Sequence, residues 1–155
     1  MPDEIICPCS IRPFAFGDAD AVREIFRESP EAGALTPDCS ALSKEWSGPL
    51  ALVSESGGEL TGFLMGRELA DEAELFNFAV KPKYRRQGHG AALISAALAG
   101  MRSRGAKNVF LEVRESNLRA ISFYEAFGFS KIGYRKSYYR SPDEAAITMG
   151  RKLGD

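Results

Sequence analysis

The sequence has few cysteines, a single histidine and no long apolar run. No segment approaches the roughly 20 consecutive apolar residues that a transmembrane helix needs, and the first residues do not resemble a secretory signal. Three cysteines, an odd number, argue against a disulfide framework and for a reducing compartment. Cys7 and Cys9 lie too close together, without a partner cluster, for a metal site. We therefore expect a cytoplasmic protein with no metal and no membrane partner.

The charge of the chain is distributed unevenly. Residues 1–75 carry 5 Lys/Arg and 15 Asp/Glu, whereas residues 76–155 carry 15 Lys/Arg and 6 Asp/Glu. This asymmetry favours an anionic ligand for the second half. The basic residues form no dense run, so direct nucleic-acid binding is not expected. The length of 155 residues predicts one domain that spans residues 1–155.

The pattern of apolar, glycine and proline residues predicts a mixed α/β domain. Gly57-Gly58 is typical of a tight hairpin turn. The predicted strands cover residues 5–14, 49–54, 60–69, 72–80, 108–113, 132–139 and 145–153, and the predicted helices cover 18–29, 36–46, 91–104 and 117–127. Because a crossover helix joins the strands at 72–80 and 108–113, we expect these two strands to be parallel neighbours inside the sheet.

Residues 76–91, FNFAVKPKYRRQGHGA, read as a strand, a glycine-bearing turn and a helix. Gly88 and Gly90 let the backbone approach a bulky anion, and the helix start offers unpaired N–H groups. Arg85 and Arg86 suit a polyphosphate. The spacing fits neither the dinucleotide-binding fingerprint nor the P-loop. The segment is therefore a candidate phosphate site, and the alternative is an ordinary connection with surface arginines.

A second group of polar residues follows in the next strand and helix. Glu112 lies between Leu111 and Val113, so its side chain faces away from theirs and lines any cleft that opens there. Asn117 and Tyr124 are seven residues apart, on one face of the helix. Each residue also has a purely structural interpretation. Glu112 could be a solvated carboxylate, Asn117 a helix cap and Tyr124 a packing aromatic ring.

The spacing Arg85-x-x-Gly88-x-Gly90 resembles the pyrophosphate-binding signature of the GCN5-related N-acetyltransferase (GNAT) superfamily. Residues 74–153 resemble the bacterial ribosomal-protein-alanine N-acetyltransferases within it. The resemblance implies a mostly antiparallel sheet with a central parallel pair flanked by helices. It also implies acetyl transfer from acetyl-CoA to the N-terminal amine of a ribosomal protein. Residues 31–37 depart from that family, so a small amine or a polyamine remains a possible acceptor, and a non-catalytic acyl-CoA-binding module remains a further alternative.

The resemblance also implies roles for individual residues. Glu112 would be the general base and Tyr124 the general acid. Tyr138 and Tyr139 match a tyrosine pair beside the peptide-binding groove. The residues implied to bind the cofactor are Phe78, Ala79, Val80, Arg85, Arg86, Gln87, Gly88, His89, Gly90, Ala91 and Asn117.

These roles agree with the chemistry of the residues. An α-amine with a pKa of about 7.7–8.0 is largely protonated at neutral pH, and Glu112 can remove its proton. Backbone N–H groups of residues 78–80 would stabilise the oxyanion, and a tyrosine with a pKa of about 10 can protonate the leaving thiolate. The rival chemistry is a ping-pong route with Cys39 as nucleophile and His89 as base.

Overall fold

A computed structural model describes residues 9–29, 48, 50–140 and 143–154. The predicted helix at 36–46, and residues 5–8 of the predicted first strand, lie outside this described part. The described strands are β1 (Ser10–Pro13), β2 (Ala51–Ser56), β3 (Glu59–Leu69), β4 (Glu72–Val80), β5 (Asn108–Arg114), β6 (Ser130–Arg140) and β7 (Asp143–Lys152). The described helices are α1 (Ala19–Arg27), α2 (His89–Ser103) and α3 (Leu118–Ala126), with 3₁₀ turns at Phe16–Asp18 and Pro82–Tyr84.

These strands form one sheet in the order β1-β2-β3-β4-β5-β7-β6. Strands β4 and β5 are parallel, with α2 between them in sequence, and the other neighbouring pairs are antiparallel. The predicted mixed sheet with an internal parallel pair is therefore confirmed. None of the helices in the described residues is long and apolar enough to cross a membrane.

The parallel pair separates partway along its length. Its pairing runs from Glu72 opposite Asn108 to Leu75 opposite Leu111, although both strands continue beyond these residues. The diverging ends leave a wedge between the two strands. This wedge is where the site described below is found.

A β-bulge on β4 lies at the start of the wedge. Met65 of β3 pairs with Asn77, and the next residue, Gly66, pairs with Leu75, so Phe76 is the extra residue. A Cβ at Gly66 would lie 2.2 Å from the Glu74 carbonyl oxygen, so only glycine fits there. An extra residue reverses which face each later side chain occupies. The bulge therefore sets the orientation of every residue from 77 to 80.

Hydrophobic residues cover both faces of the sheet. One buried cluster lies between the sheet and helices α2 and α3, and it includes Leu75, Leu93, Leu111, Val113 and Ile121. The other lies between the sheet and α1, and it includes Val22, Ile25, Phe63, Met65 and Ala79. Phe78 and Val80 pack against the first cluster. Phe78 and Val80 therefore face the first cluster and Ala79 the second, in the order that the bulge determines.

Two local predictions need correction. The helix predicted at 18–29 begins at Ala19, and the carboxylate of Asp18 does not cap it but binds the Arg12 guanidinium at 2.7 Å and the Ala15 N–H at 2.8 Å. The 3₁₀ turn before α1 directs this side chain back toward β1. Helix α2 begins at His89 rather than Ala91. Both differences arise because the chain enters each helix through a tight turn that the apolar pattern does not record.

Candidate active site

A cavity of about 670 Å³ opens in the wedge, between β4, β5, α3 and the turn before α2. The predicted site residues that line it are Phe78, Ala79, Val80, Arg85, Arg86, Gly88, Gly90, Ala91, Glu112, Asn117 and Tyr124. The side chains of the predicted residues Gln87, His89, Tyr138 and Tyr139 are placed elsewhere, as described below. The fold thus brings the phosphate motif and the carboxylate–phenol pair to one cavity.

The turn before α2 has the backbone geometry of an anion site. Gly88, the N-cap residue of α2, adopts a φ of 88°, a conformation that costs glycine little. The next N–H groups lie in the first turn of the helix, where they have no intrahelical acceptors. Arg86 lines the cavity beside them. Together these groups provide donors and positive charge where a diphosphate would bind.

Arg85 holds the turn in place. Its Nε donates to the Val80 carbonyl at 3.2 Å, and its Nη2 donates to the buried Ser29 hydroxyl at 2.7 Å. These bonds connect the turn to the end of β4 and to Ser29, two residues beyond the end of α1. Arg85 therefore contributes to the position of the turn as well as to the charge of the cavity wall.

The side chains of Gln87 and His89 turn away from the cavity. Gln87 donates to the Lys83 carbonyl at 2.9 Å. His89 is buried, with Nδ1 2.8 Å from the Thr61 hydroxyl and its ring against that of Tyr84. Burial lowers the pKa of His89 and keeps its imidazole neutral at pH 7. Any part of these two residues in anion binding would fall to their backbone N–H groups.

Glu112 faces the cavity from β5 and is held at both oxygens. Oε2 accepts a hydrogen bond from the Thr148 hydroxyl at 3.1 Å, and Oε1 lies 3.1 Å from Nε of Arg135. Thr148 is its partner across the β5–β7 pairing. The carboxylate side chain is only 15% exposed. The strand pairing therefore fixes the direction in which this carboxylate points.

Tyr124 and Asn117 approach the cavity from α3. Tyr124 is buried among the rings of Phe78, Phe123 and Phe129, and burial raises the pKa of its phenol well above the usual range. The phenol therefore stays protonated at any pH at which the protein would work. Asn117 is the N-cap of α3, with Oδ1 accepting from the Ala120 N–H at 3.3 Å. It lines the cavity as well, so the helix-cap and site interpretations both apply.

Tyr138 and Tyr139 lie on β6 and are not among the residues that line the cavity. Their rings are 5.0 Å apart. The Arg135 guanidinium that contacts Glu112 also lies 5.5 Å from the Tyr138 ring centroid, and Arg114 lies 4.2 Å from that of Tyr139. Tyr139 is buried, and burial raises its pKa to about 12. Arg135, which the sequence did not reveal, thus contacts both Glu112 and the Tyr138 ring.

The three missed residues differ in how visible they were in the sequence. Thr148 and Arg135 carry no local signal, because only the long-range pairing of β5, β7 and β6 brings them to Glu112. Asn77, which also lines the cavity, is a polar residue inside an apolar strand, and that mismatch was visible in the sequence. Among the described residues, no cluster of three or more His, Cys, Asp or Glu side chains could hold a metal ion.

Residues 19–129 match the sequence model of the Acetyltransferase (GNAT) family, and the chain belongs to that family. It is 43% identical over 94 residues to the [ribosomal protein bS18]-alanine N-acetyltransferase of Escherichia coli strain K12. That match covers 59% of this chain and 64% of the relative, so it spans less than two thirds of the relative's length.

Solved structures extend the similarity over most of the chain. The ribosomal-protein-S18-alanine N-acetyltransferase from Escherichia coli superposes with a TM-score of 0.80 at 30% identity, over 95% of each chain. Ard1 from Thermoplasma volcanium superposes with a TM-score of 0.86 at 31% identity, over 96% of this chain and 99% of the other. The family and the fold that the sequence predicted are confirmed.

Proposed function

We propose that this protein transfers the acetyl group of acetyl-CoA to the N-terminal α-amine of a protein. One observation carries the proposal: a single cavity joins a glycine turn at a helix start to a carboxylate and a protonated phenol. The turn suits a diphosphate, and the carboxylate and phenol suit the two proton transfers of amine acylation. The names of the E. coli relatives support an N-terminal alanine of ribosomal protein bS18 as the acceptor.

The cavity suits coenzyme A along its length. Gly88, Arg86 and the first turn of α2 would hold the diphosphate. Beyond Leu75, β4 is no longer paired with β5 on the wedge side, so backbone groups of Phe78–Val80 are available to the amides of the pantetheine arm, except the Val80 carbonyl, which accepts from Arg85. The rings of Phe78 and Phe123, 5.5 Å apart, form an apolar wall. Binding at these groups would direct the thioester toward the end of the wedge that holds Glu112.

Glu112 would accept a proton from the acceptor ammonium, directly or through a water molecule. The freed amine forms a C–N bond to the thioester carbon, and the C–S bond breaks. Backbone N–H groups of residues 78–80 would stabilise the negative charge on the carbonyl oxygen. Tyr124 would donate its proton to the leaving thiolate, and the second proton lost by the attacking nitrogen would restore the phenol. The chain would supply these proton transfers, so no covalent enzyme intermediate is needed. Of the ping-pong alternative, the nucleophile Cys39 lies outside the described residues and the base His89 is buried.

The direct test is intact-mass spectrometry of E. coli bS18 with a free N-terminal alanine, incubated with the protein and acetyl-CoA. We expect one added acetyl group, mapped to the N-terminal residue, and none when that terminus is blocked. A polyamine and small-amine panel run in parallel tests the alternative acceptors. Faster turnover of a panel amine than of any peptide would reassign the acceptor. The absence of CoA release with every acceptor would indicate a non-catalytic acyl-CoA-binding protein.

A further inference from the structure

Asn77 is a buried polar residue that the mechanism above does not use. Only 6% of its surface is exposed, and within the described part of the chain its Oδ1 has no hydrogen-bond partner. Nearly all buried polar atoms in proteins are paired, so an unpaired one calls for an explanation. Asn77 also lines the cavity. A ligand in that cavity is therefore a natural source of the missing partner.

The bulge places Asn77 on the same face of the sheet as Glu112. Asn77 pairs with Met65, and residues directly opposite each other across a strand pair share a face. Met65 packs in the cluster beneath α1. Glu112 alternates with Leu111 and Val113, which pack on the α2 and α3 face, so its own side chain also points to the α1 face.

The two residues flank the point where the strands separate. Leu75 and Leu111 are the last residues paired between β4 and β5. Glu112 is the next residue on β5, and Asn77 follows the bulged Phe76 on β4. Phe78 and Tyr124, by contrast, pack together on the α3 side of the sheet. The unpaired amide oxygen is thus on the side of the base and away from the apolar wall that suits the cofactor.

We propose that Oδ1 of Asn77 accepts a hydrogen bond from the amine of the acceptor and so orients it for attack. The inference rests on the function proposed above. A carbonyl oxygen only accepts, so its partner has to be an N–H or O–H group. A primary ammonium that gives one proton to Glu112 keeps two N–H groups and gains a lone pair. One N–H bonds Asn77, which fixes the direction of the lone pair toward the thioester.

The test is steady-state kinetics of Asn77→Leu with acetyl-CoA and a peptide that begins with a free alanine. Leu has the same branched arrangement of side-chain heavy atoms and has no acceptor. We expect the KM for the peptide to rise roughly 10- to 100-fold, as for the loss of a hydrogen bond to a charged group. The KM for acetyl-CoA should stay within about 2-fold, because Asn77 lies on the opposite face from the cofactor wall. The thermal midpoint should not fall, since the variant removes an unpaired polar atom from the interior.

Two further variants separate acceptor binding from packing. Met65→Leu alters the cross-strand neighbour on the same face without touching a polar group, and both KM values should match those of the wild type. Asn77→Asp keeps the acceptor oxygen, and its peptide KM should stay within several-fold of the wild-type value. An unchanged peptide KM in Asn77→Leu, or a rise confined to the KM for acetyl-CoA, would overturn the inference. A wild-type protein inactive on all peptides would instead overturn the proposed function, before any variant is compared.

Discussion

The guanidinium of Arg135 lies 3.1 Å from a carboxylate oxygen of Glu112, so a cation already occupies the place where an acceptor ammonium would bind. The arginine is 62% exposed, whereas the carboxylate is 15% exposed. Arg135 is therefore able to move into solvent while Glu112 stays in place, held also by Thr148. In the proposed mechanism, this ion pair would neutralise the carboxylate between turnovers and would compete with the acceptor ammonium for it.

Removal of this competitor should strengthen acceptor binding. We expect Arg135→Leu to lower the KM for the acceptor by up to about 5-fold, which is the size of effect that exposed ion pairs produce. The KM for acetyl-CoA should not change. Lys131→Leu is the matched control, because it removes one cation from the same strand beside Met149 rather than beside Glu112. An equal fall in KM in both variants would show a general charge effect and contradict a specific role for Arg135.

Loss of the base should reduce turnover more than loss of the acid. Glu112→Gln keeps the shape and the Thr148 contact but cannot accept the proton, so kcat should fall by about 10²- to 10⁴-fold. Tyr124→Phe should lower kcat by about 10-fold or somewhat more, since a thiolate whose thiol has a pKa of about 8.5 can leave without full protonation. Calorimetric titration with coenzyme A should give nearly wild-type affinity for both. Wild-type turnover in either variant would remove the role assigned to that residue.

The two glycines of the turn should respond differently to alanine. Gly88 has a φ of 88°, so Gly88→Ala forces a side chain into a left-handed conformation at a cost of about 1–2 kcal/mol and should distort the anion site. At Gly90 an added Cβ meets its nearest atom, in the Phe78 ring, at an ordinary 3.4 Å. We expect a marked loss of coenzyme A affinity in Gly88→Ala and little change in Gly90→Ala. Equal losses in both would contradict the geometry assigned to the turn.

Local sequence patterns were sufficient to predict the glycine turn before α2, the parallel pair and the direction of Glu112. Each depends on neighbouring residues: glycines after a strand, a crossover helix, and the alternation of side chains along β5. These rules act over a few residues, so one sequence reveals them. The resemblance to the GNAT superfamily, rather than these local rules, brought Glu112 and Tyr124 into one predicted site, and both residues line the cavity.

The contacts around Glu112 could not be predicted in this way. Arg135 and Thr148 reach it through the pairing of three strands, and β6 carries register shifts that no local pattern encodes. Asn77 shows a further limit. Simple alternation from Leu75 would place Asn77 on the α2 and α3 face, but the bulge at Phe76 reverses the order. The bulge in turn depends on Gly66 on the neighbouring strand.

His89 should make the folded state sensitive to acid. Its imidazole is buried against Thr61, and burial lowers its pKa in the folded protein below the usual 6.5. As the pH falls below 6.5, the unfolded chain takes up a proton that the folded chain resists, so the free energy of unfolding decreases. His89→Asn can keep the hydrogen bond to Thr61 and does not titrate. Urea denaturation between pH 7.5 and about 5 should show a loss of stability in the wild type that is smaller in His89→Asn. Because the sequence contains one histidine, parallel pH profiles for the two proteins would show that His89 is not held neutral by the fold.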